Sequence, residues 1–124
     1  MIDKPLRILI VENHEDTMKY LQLYLDQNDD RVDAARSVGE AKEKLRSQKY
    51  DLLLCDIGLP DGSGWEVPAG QADRIGYAVA MSGFGRFDDP ERSARAGFDC
   101  HLTKPFLPPE IDEILAKIRA NGVS

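Results

Sequence analysis

The chain has 124 residues, 42% hydrophobic and 31% charged, with two cysteines and a formal net charge of −6. That length supports a hydrophobic core without disulfides or metals, and the acidic balance argues against nucleic acid as a direct partner, since phosphate binding draws on surplus Lys and Arg. No apolar run approaches membrane-spanning length, no signal-peptide core is present, and Cys55 and Cys100 lack ligand or redox spacing. The expectation is a cytoplasmic protein with two buried thiols, no membrane contact, and one domain over residues 1–124.

Leu6–Val11 is a compact apolar run behind Pro5 and predicts a buried first strand. It ends in a polar knot, Glu12-Asn13-His14-Glu15-Asp16. Met18, Leu21 and Leu25 recur at helical spacing and predict a first helix that stops near Asn28-Asp29-Asp30. Arg31–Arg36 reads as a weaker second strand. Ser37 and Glu40 match a capping box, with hydroxyl and carboxylate each taking a free amide at the helix start. Val38, Ala41 and Leu45 form that second helix's inner stripe.

Leu52–Cys55 is a short unbroken apolar run, which fits a third strand buried on both faces. Asp56 stands at its end, and Gly58, Pro60, Asp61, Gly62 and Gly64 follow. In open α/β sheets ligands sit beyond the carboxyl ends of the strands, so Asp56 is a candidate for chemistry. It could equally serve as a turn cap.

Trp65–Gly76 should hold a crossover helix, yet Pro68 and Gly70 interrupt it, so the third helix is expected to be short, irregular or mobile. Tyr77–Met81 is a fourth strand running into Ser82-Gly83. Asp89-Pro90-Glu91 opens a short fourth helix that stops at Gly97, and Cys100–Leu102 is a brief fifth strand leading to Thr103-Lys104-Pro105. Pro109 opens the last helix, with Ile111, Ile114, Leu115 and Ile118 on one face. Alternating strands and helices call for right-handed crossovers and a parallel sheet covered on both sides. The expected architecture is a flavodoxin-like α/β three-layer sandwich, with five strands in the order 2-1-3-4-5.

In that topology Glu12, Asn13, Asp56, Ser82 and Lys104 converge on one rim. Neighbouring carboxylates repel, so the rim wants a cation, and the oxygen ligands of Glu12, Asn13 and Asp56 suit Mg²⁺. A lysine and a hydroxyl facing a carboxylate suit phosphoryl transfer, in which aspartate is a recognised nucleophile.

The acids after the first strand, DIGLPDGSG, MSGFG and HLTKP together resemble the response-regulator receiver domain of two-component signalling, over the whole chain. The resemblance implies that Asp56 accepts phosphoryl from a phosphohistidine on a sensor histidine kinase or histidine phosphotransfer domain. It implies that Glu12, Asn13, Asp56 and the Gly58 carbonyl organise Mg²⁺. Ser82 and Lys104 would hold phosphoryl oxygens, and Pro105 would carry a cis peptide. Such a protein is no enzyme beyond its own Mg²⁺-dependent phosphorylation and dephosphorylation. The motif wording is closest to receivers attached to hybrid sensor kinases. A second reading is a pseudo-receiver that only binds protein. A third, flavin binding, is disfavoured because the first strand leads into acids and not into a phosphate-cradling loop.

Several positions depart from the family pattern. Asn13 stands where an acid is usual, which predicts weaker Mg²⁺ binding; it also fits an N-cap, with Asp16 three residues on. His101 occupies the place of the usual switch aromatic, and together with Ser82 it is a switch candidate, or else simply a packed or solvent-facing residue. Phe84 and Gly58 occupy positions that tune acyl-phosphate hydrolysis in the family; neither offers a polar side chain to orient water, so a persistent phosphoryl group is expected. Phe84 also fits a plain contact for the fourth helix. His14 is expected only to be solvated. The face of the fourth helix, fifth strand and fifth helix is the family's output surface, with Phe106 and Leu107 as contact candidates for a partner or second copy.

Overall fold

In the computed structural model, which describes residues 5–26, 30–83, 90–104 and 106–122, the apolar runs become strands of a parallel sheet. The chain passes through β1 (Arg7–Val11), α1 (Glu15–Leu25), β2 (Arg31–Ala35), α2 (Val38–Ser47) and β3 (Tyr50–Asp56). A small antiparallel hairpin follows, β4 (Gly58–Leu59) with β5 (Gly62–Ser63), then β6 (Ile75–Ser82), α3 (Pro90–Ala96), β7 (Cys100–Thr103) and α4 (Pro108–Gly122). The large sheet has the order β2-β1-β3-β6-β7 with all neighbours parallel, which is the expected order once the hairpin is set aside.

The inner strands β1, β3 and β6 carry buried apolar runs because successive side chains point into two separate cores. On one face Ile8, Ile10, Leu52, Leu54, Val79 and Met81 pack with Met18, Leu21 and Leu25 of α1 and with Ile111, Ile114, Leu115 and Ile118 of α4. On the other, Leu9, Val11, Leu53, Cys55, Ala78 and Ala80 pack with Val38, Ala41 and Leu45 of α2 and with Val67 and Phe98. Three layers result.

Between β5 and β6 the crossover consists of two 3₁₀ turns, Gly64–Glu66 and Ala72–Arg74, where the interrupted pattern predicted an irregular helix. Pro68 and Gly70 (φ 72°) lie between the turns. The first turn carries a full capping box, Ser63 with Glu66. At α2 only half of the expected box forms. Ser37 Oγ accepts from the Glu40 amide, while the Glu40 carboxylate takes the amide of Arg36, one residue further out. The other free amides of α2, on Val38 and Gly39, donate instead to Asp61 at 2.8 and 3.0 Å. Those bonds hold the Asp61 carboxyl below its ordinary range.

Some expectations change. Phe106 is buried in the core, so it offers no surface contact, whereas Leu107 is 65% exposed. Cys55 is buried, but Cys100 is only half-buried. Arg119 turns inward to pair with the buried Asp30 at 2.7 Å, and Asp30 also accepts the Leu6 amide at 2.8 Å. This pair ties α4 to the start of β1. Arg119→Met is expected to lower stability by about 1.5 kcal/mol, since Asp30 keeps one partner and loses a charged one. A urea midpoint equal to wild type would contradict that.

Candidate functional site

The sheet's register assembles the site. Val11 pairs with Cys55, Asp56 with Met81 and Ser82 with Thr103, so the residues that follow arrive at one edge. The ladder continues past the strand ends: the amides of Glu12, Ile57 and Lys104 donate to the carbonyls of Ala35 (3.0 Å), Met81 (3.0 Å) and Ser82 (2.7 Å). Backbone hydrogen bonding therefore fixes Glu12, Asp56 and Lys104 side by side.

Glu12 and Asp56 are both buried, and they share one cation. Lys104 Nζ donates to Glu12 Oε1 in a short contact and to Asp56 Oδ2 at 3.3 Å. Asp56 Oδ1 accepts the Gly58 amide at 3.1 Å. Burial, and then the neighbouring Glu12 charge, push the Asp56 carboxyl above its ordinary range; Lys104 offsets this only in part. Burial raises Glu12 as well, but hydrogen bonds from Lys104 and from the His14 amide and ring outweigh it, leaving that carboxyl low. Asp56 is thus the less comfortable of the two acids, and the one with an oxygen loosely held.

His14, expected only to be solvated, is 68% exposed in its side chain but reaches back into the rim. Its amide and its Nδ1 lie 3.0 and 2.9 Å from Glu12 Oε2, and Nδ1 is 4.0 Å from Asp56 Oδ2. His14, and not Asn13, occupies the N-cap position of α1. Asn13 itself is exposed.

Ser82, also buried, has its Oγ 2.9 Å from His101 Nε2. The other ring nitrogen, Nδ1, lies 3.1 Å from Ser93 Oγ on α3, and Ser93 Oγ accepts the Trp65 indole N–H at 2.9 Å. The Arg92 guanidinium sits 4.0 Å above the Trp65 ring. His101 is therefore a half-buried packed residue, bonded through both nitrogens. Two ring tautomers satisfy both contacts: either Ser93 donates to Nδ1 and Nε2–H donates to Ser82, or Nδ1–H donates to Ser93 and Ser82 donates to Nε2. In the first arrangement the Ser82 hydroxyl proton is left to face the rim; in the second it is held by His101. Ser93 and Trp65 carried no sequence signal for this role; only the fold brings them to His101.

Phe84 and Pro105, singled out in the sequence, lie outside the described residues. Beside the rim, burial pushes the Cys55 thiol up, which suits an inert core group. The donor set fits a divalent cation. Two buried carboxylates balanced by one ammonium leave negative charge, and Glu12, His14 and Asp56 offer ligand atoms all within 4.8 Å of one another. Among the described residues no helix is long and apolar enough to cross a membrane.

Comparison with known proteins agrees with this geometry. The response regulator receiver domain model matches residues 8–118. The chain is 30% identical over 115 residues to the polar-differentiation response regulator DivK of Brucella anthropi, covering 90% of this chain and 94% of DivK. It is 34% identical over 112 residues to the response regulator protein PilR of Pseudomonas aeruginosa, covering 89% of this chain and 25% of PilR. It also matches the virulence sensor protein BvgS of Bordetella pertussis at 33% identity, covering 81% of this chain and 9% of BvgS. It thus spans nearly all of DivK but a minor part of the other two. A two-component response regulator from Clostridium difficile superposes with a TM-score of 0.87 at 26% identity, covering 96% of this chain and 99% of that one. With a family match along almost its whole length and the matching sheet order, this chain belongs to the response regulator receiver domain family.

Proposed function

We propose that residues 1–124 form one receiver domain that takes a phosphoryl group onto Asp56 from a phosphohistidine on a sensor histidine kinase or histidine phosphotransfer domain in the cytoplasm. The observation that carries this is Asp56 itself: a buried, elevated carboxylate at a strand exit, 3.3 Å from the Lys104 ammonium. An Asp56 oxygen attacks phosphorus and forms the O–P bond as the P–N bond breaks. The departing imidazole keeps the electron pair and is protonated from solvent. Lys104 would swing from the carboxylates to a phosphoryl oxygen, and the Ser82 hydroxyl would donate to another when His101 carries its proton on Nε2. Mg²⁺, held by Glu12, Asn13, Asp56 and the Gly58 carbonyl, would neutralise charge on the transferring group. The protein turns over nothing else; its output is a conformational change, with Ser82 and His101 as the switch pair. The face of α3, β7 and α4, where Leu107 is exposed, is the candidate surface for an output partner or second copy.

The second reading, a pseudo-receiver that binds protein without phosphorylation, draws on the uncharged, exposed Asn13. Acetyl phosphate with Mg²⁺ separates the two. The first reading expects one added phosphoryl group by mass spectrometry, mapped to Asp56 and absent from Asp56→Asn. An unmodified wild type, or modification elsewhere, sinks it. Asn13→Asp should bind Mg²⁺ more tightly; equal affinities would remove Asn13 from the metal set.

A further inference from the structure

We infer that His101 passes the phosphorylation signal on as a change of ring tautomer, from Nδ1–H to Nε2–H, and that Ser93 on α3 and Trp65 in the crossover receive it. The inference rests on Asp56 as phosphoacceptor and adds the route by which the state of the rim reaches two further elements.

The route is a continuous chain of polar contacts. Ser82 Oγ lies 2.9 Å from His101 Nε2, Nδ1 lies 3.1 Å from Ser93 Oγ, and the Trp65 indole N–H donates to that same Oγ at 2.9 Å. Ser82 and Ser93 are 3% and 1% exposed, so water does not readily replace a missing partner at either end. A neutral imidazole has one N–H and one lone pair, so the two hydroxyls cannot both donate to the ring, nor both accept from it. What the first serine does dictates what the second must do. A phenol has one polar atom and would end the chain at position 101; an imidazole has two and continues it.

At rest, with no anion on Asp56, the arrangement that satisfies every group is Nδ1–H. Ser82 donates to Nε2, Nδ1–H donates to Ser93, and the Ser93 hydroxyl can donate to a carbonyl of its own helix one turn back, as helical serines do. A phosphoryl oxygen at the rim competes for the Ser82 proton, because a charged acceptor makes the stronger hydrogen bond. Ser82 Oγ is then an acceptor toward the ring, which suits Nε2–H. The ring stays neutral: Nδ1 releases one proton to solvent and Nε2 takes one from it, and His101 is only half-buried, so water reaches it. The bare Nδ1 now requires the Ser93 proton, which leaves the helix carbonyl, while the Trp65 N–H keeps its acceptor. In this way α3 and the 3₁₀ turn that carries Trp65 are coupled to the rim through His101.

The test is ¹⁵N NMR of the full chain, labelled at histidine, at about pH 8, where imidazole is neutral. Spectra are taken with and without Mg²⁺ and beryllofluoride, whose binding is scored separately by ¹⁹F NMR, in wild type, Ser82→Ala and Ser93→Ala. In wild type the proton is expected on Nδ1 in the free protein and on Nε2 with beryllofluoride bound, and the Trp65 indole N–H resonance should shift with it. Ser82→Ala should leave the tautomer insensitive to beryllofluoride. Ser93→Ala removes the acceptor for Nδ1–H. That variant should therefore carry Nε2–H when free and bind beryllofluoride at least about fivefold more tightly, since coupling is reciprocal. Bound beryllofluoride with an unmoved ring proton, or Ser93→Ala with wild-type tautomer and affinity, overturns the relay and leaves Asp56 as acceptor. A wild type that binds no beryllofluoride overturns the acceptor and the relay together.

Discussion

Gly64→Ala is expected to destabilise the fold by about 3 kcal/mol and to take Asp56 out of its reactive position. A Cβ at residue 64 would lie 2.1 Å from the Asp56 carbonyl oxygen and 2.8 Å from Ile57 Cα. Both are backbone atoms, so no rotamer change relieves the overlap. The segment is also pinned on either side: the Gly64 amide donates to Ile57 O at 2.7 Å, and the Ile57 amide donates to Met81 O at 3.0 Å. Relief must move the peptide that carries Asp56, and Asp56 Oδ2 then loses its 3.3 Å approach to Lys104. Gly70 is the control. Its φ of 72° strains an alanine, but nothing lies within 4 Å of the added carbon, so that variant is expected to cost only about 1 kcal/mol. Urea unfolding and acetyl phosphate labelling of both variants check the contrast. A Gly64→Ala protein that melts and labels like Gly70→Ala would show that the loop is slack.

Burial on two faces is the reason so much of the architecture could be read from the chain. A strand such as Leu52–Cys55 must be apolar at every position, and that leaves a mark no surface element imitates. The same logic located the strand ends, and with them Glu12, Asp56, Ser82 and Lys104. Features that depend on where a side chain swings left no such mark. His14 looked solvated because its neighbours are polar; only the turn after β1 folds its ring back onto Glu12. Asp61 read as a turn residue, yet it caps α2, more than 20 positions earlier in the chain. Ser93 and Trp65 are ordinary in sequence and become partners of His101 only when α3 and the first 3₁₀ turn meet β7. Phe106 failed for the opposite reason: its place near the family's output face suggested surface, and the core took it.

Asp56→Asn is expected to make the metal-free protein more stable than wild type by about 2 kcal/mol near neutral pH. The wild type buries two carboxylates around one ammonium, and the amide removes one charge while keeping an oxygen for the Gly58 amide. The pH dependence gives the argument a sign. Asp56 has a folded pKa raised above its ordinary value of 3.8, so the folded state binds its proton more readily than the unfolded chain does. Wild type therefore regains stability as pH falls through the raised value, and the advantage of the variant shrinks in acid. Glu12 runs the other way. Its folded pKa is lowered from 4.5, so its stabilisation is present above that value and is lost as pH falls through the folded one. Both proteins retain Glu12, so the difference between their curves isolates Asp56 to first order. Paired urea titrations in chelator at about pH 7 and pH 4 supply the measurement. A variant no more stable than wild type at the higher pH would mean that Lys104 alone neutralises the pair, and the rim would then have no unmet demand for a cation. A divalent ion should narrow the gap, because it binds the carboxylate that the variant lacks.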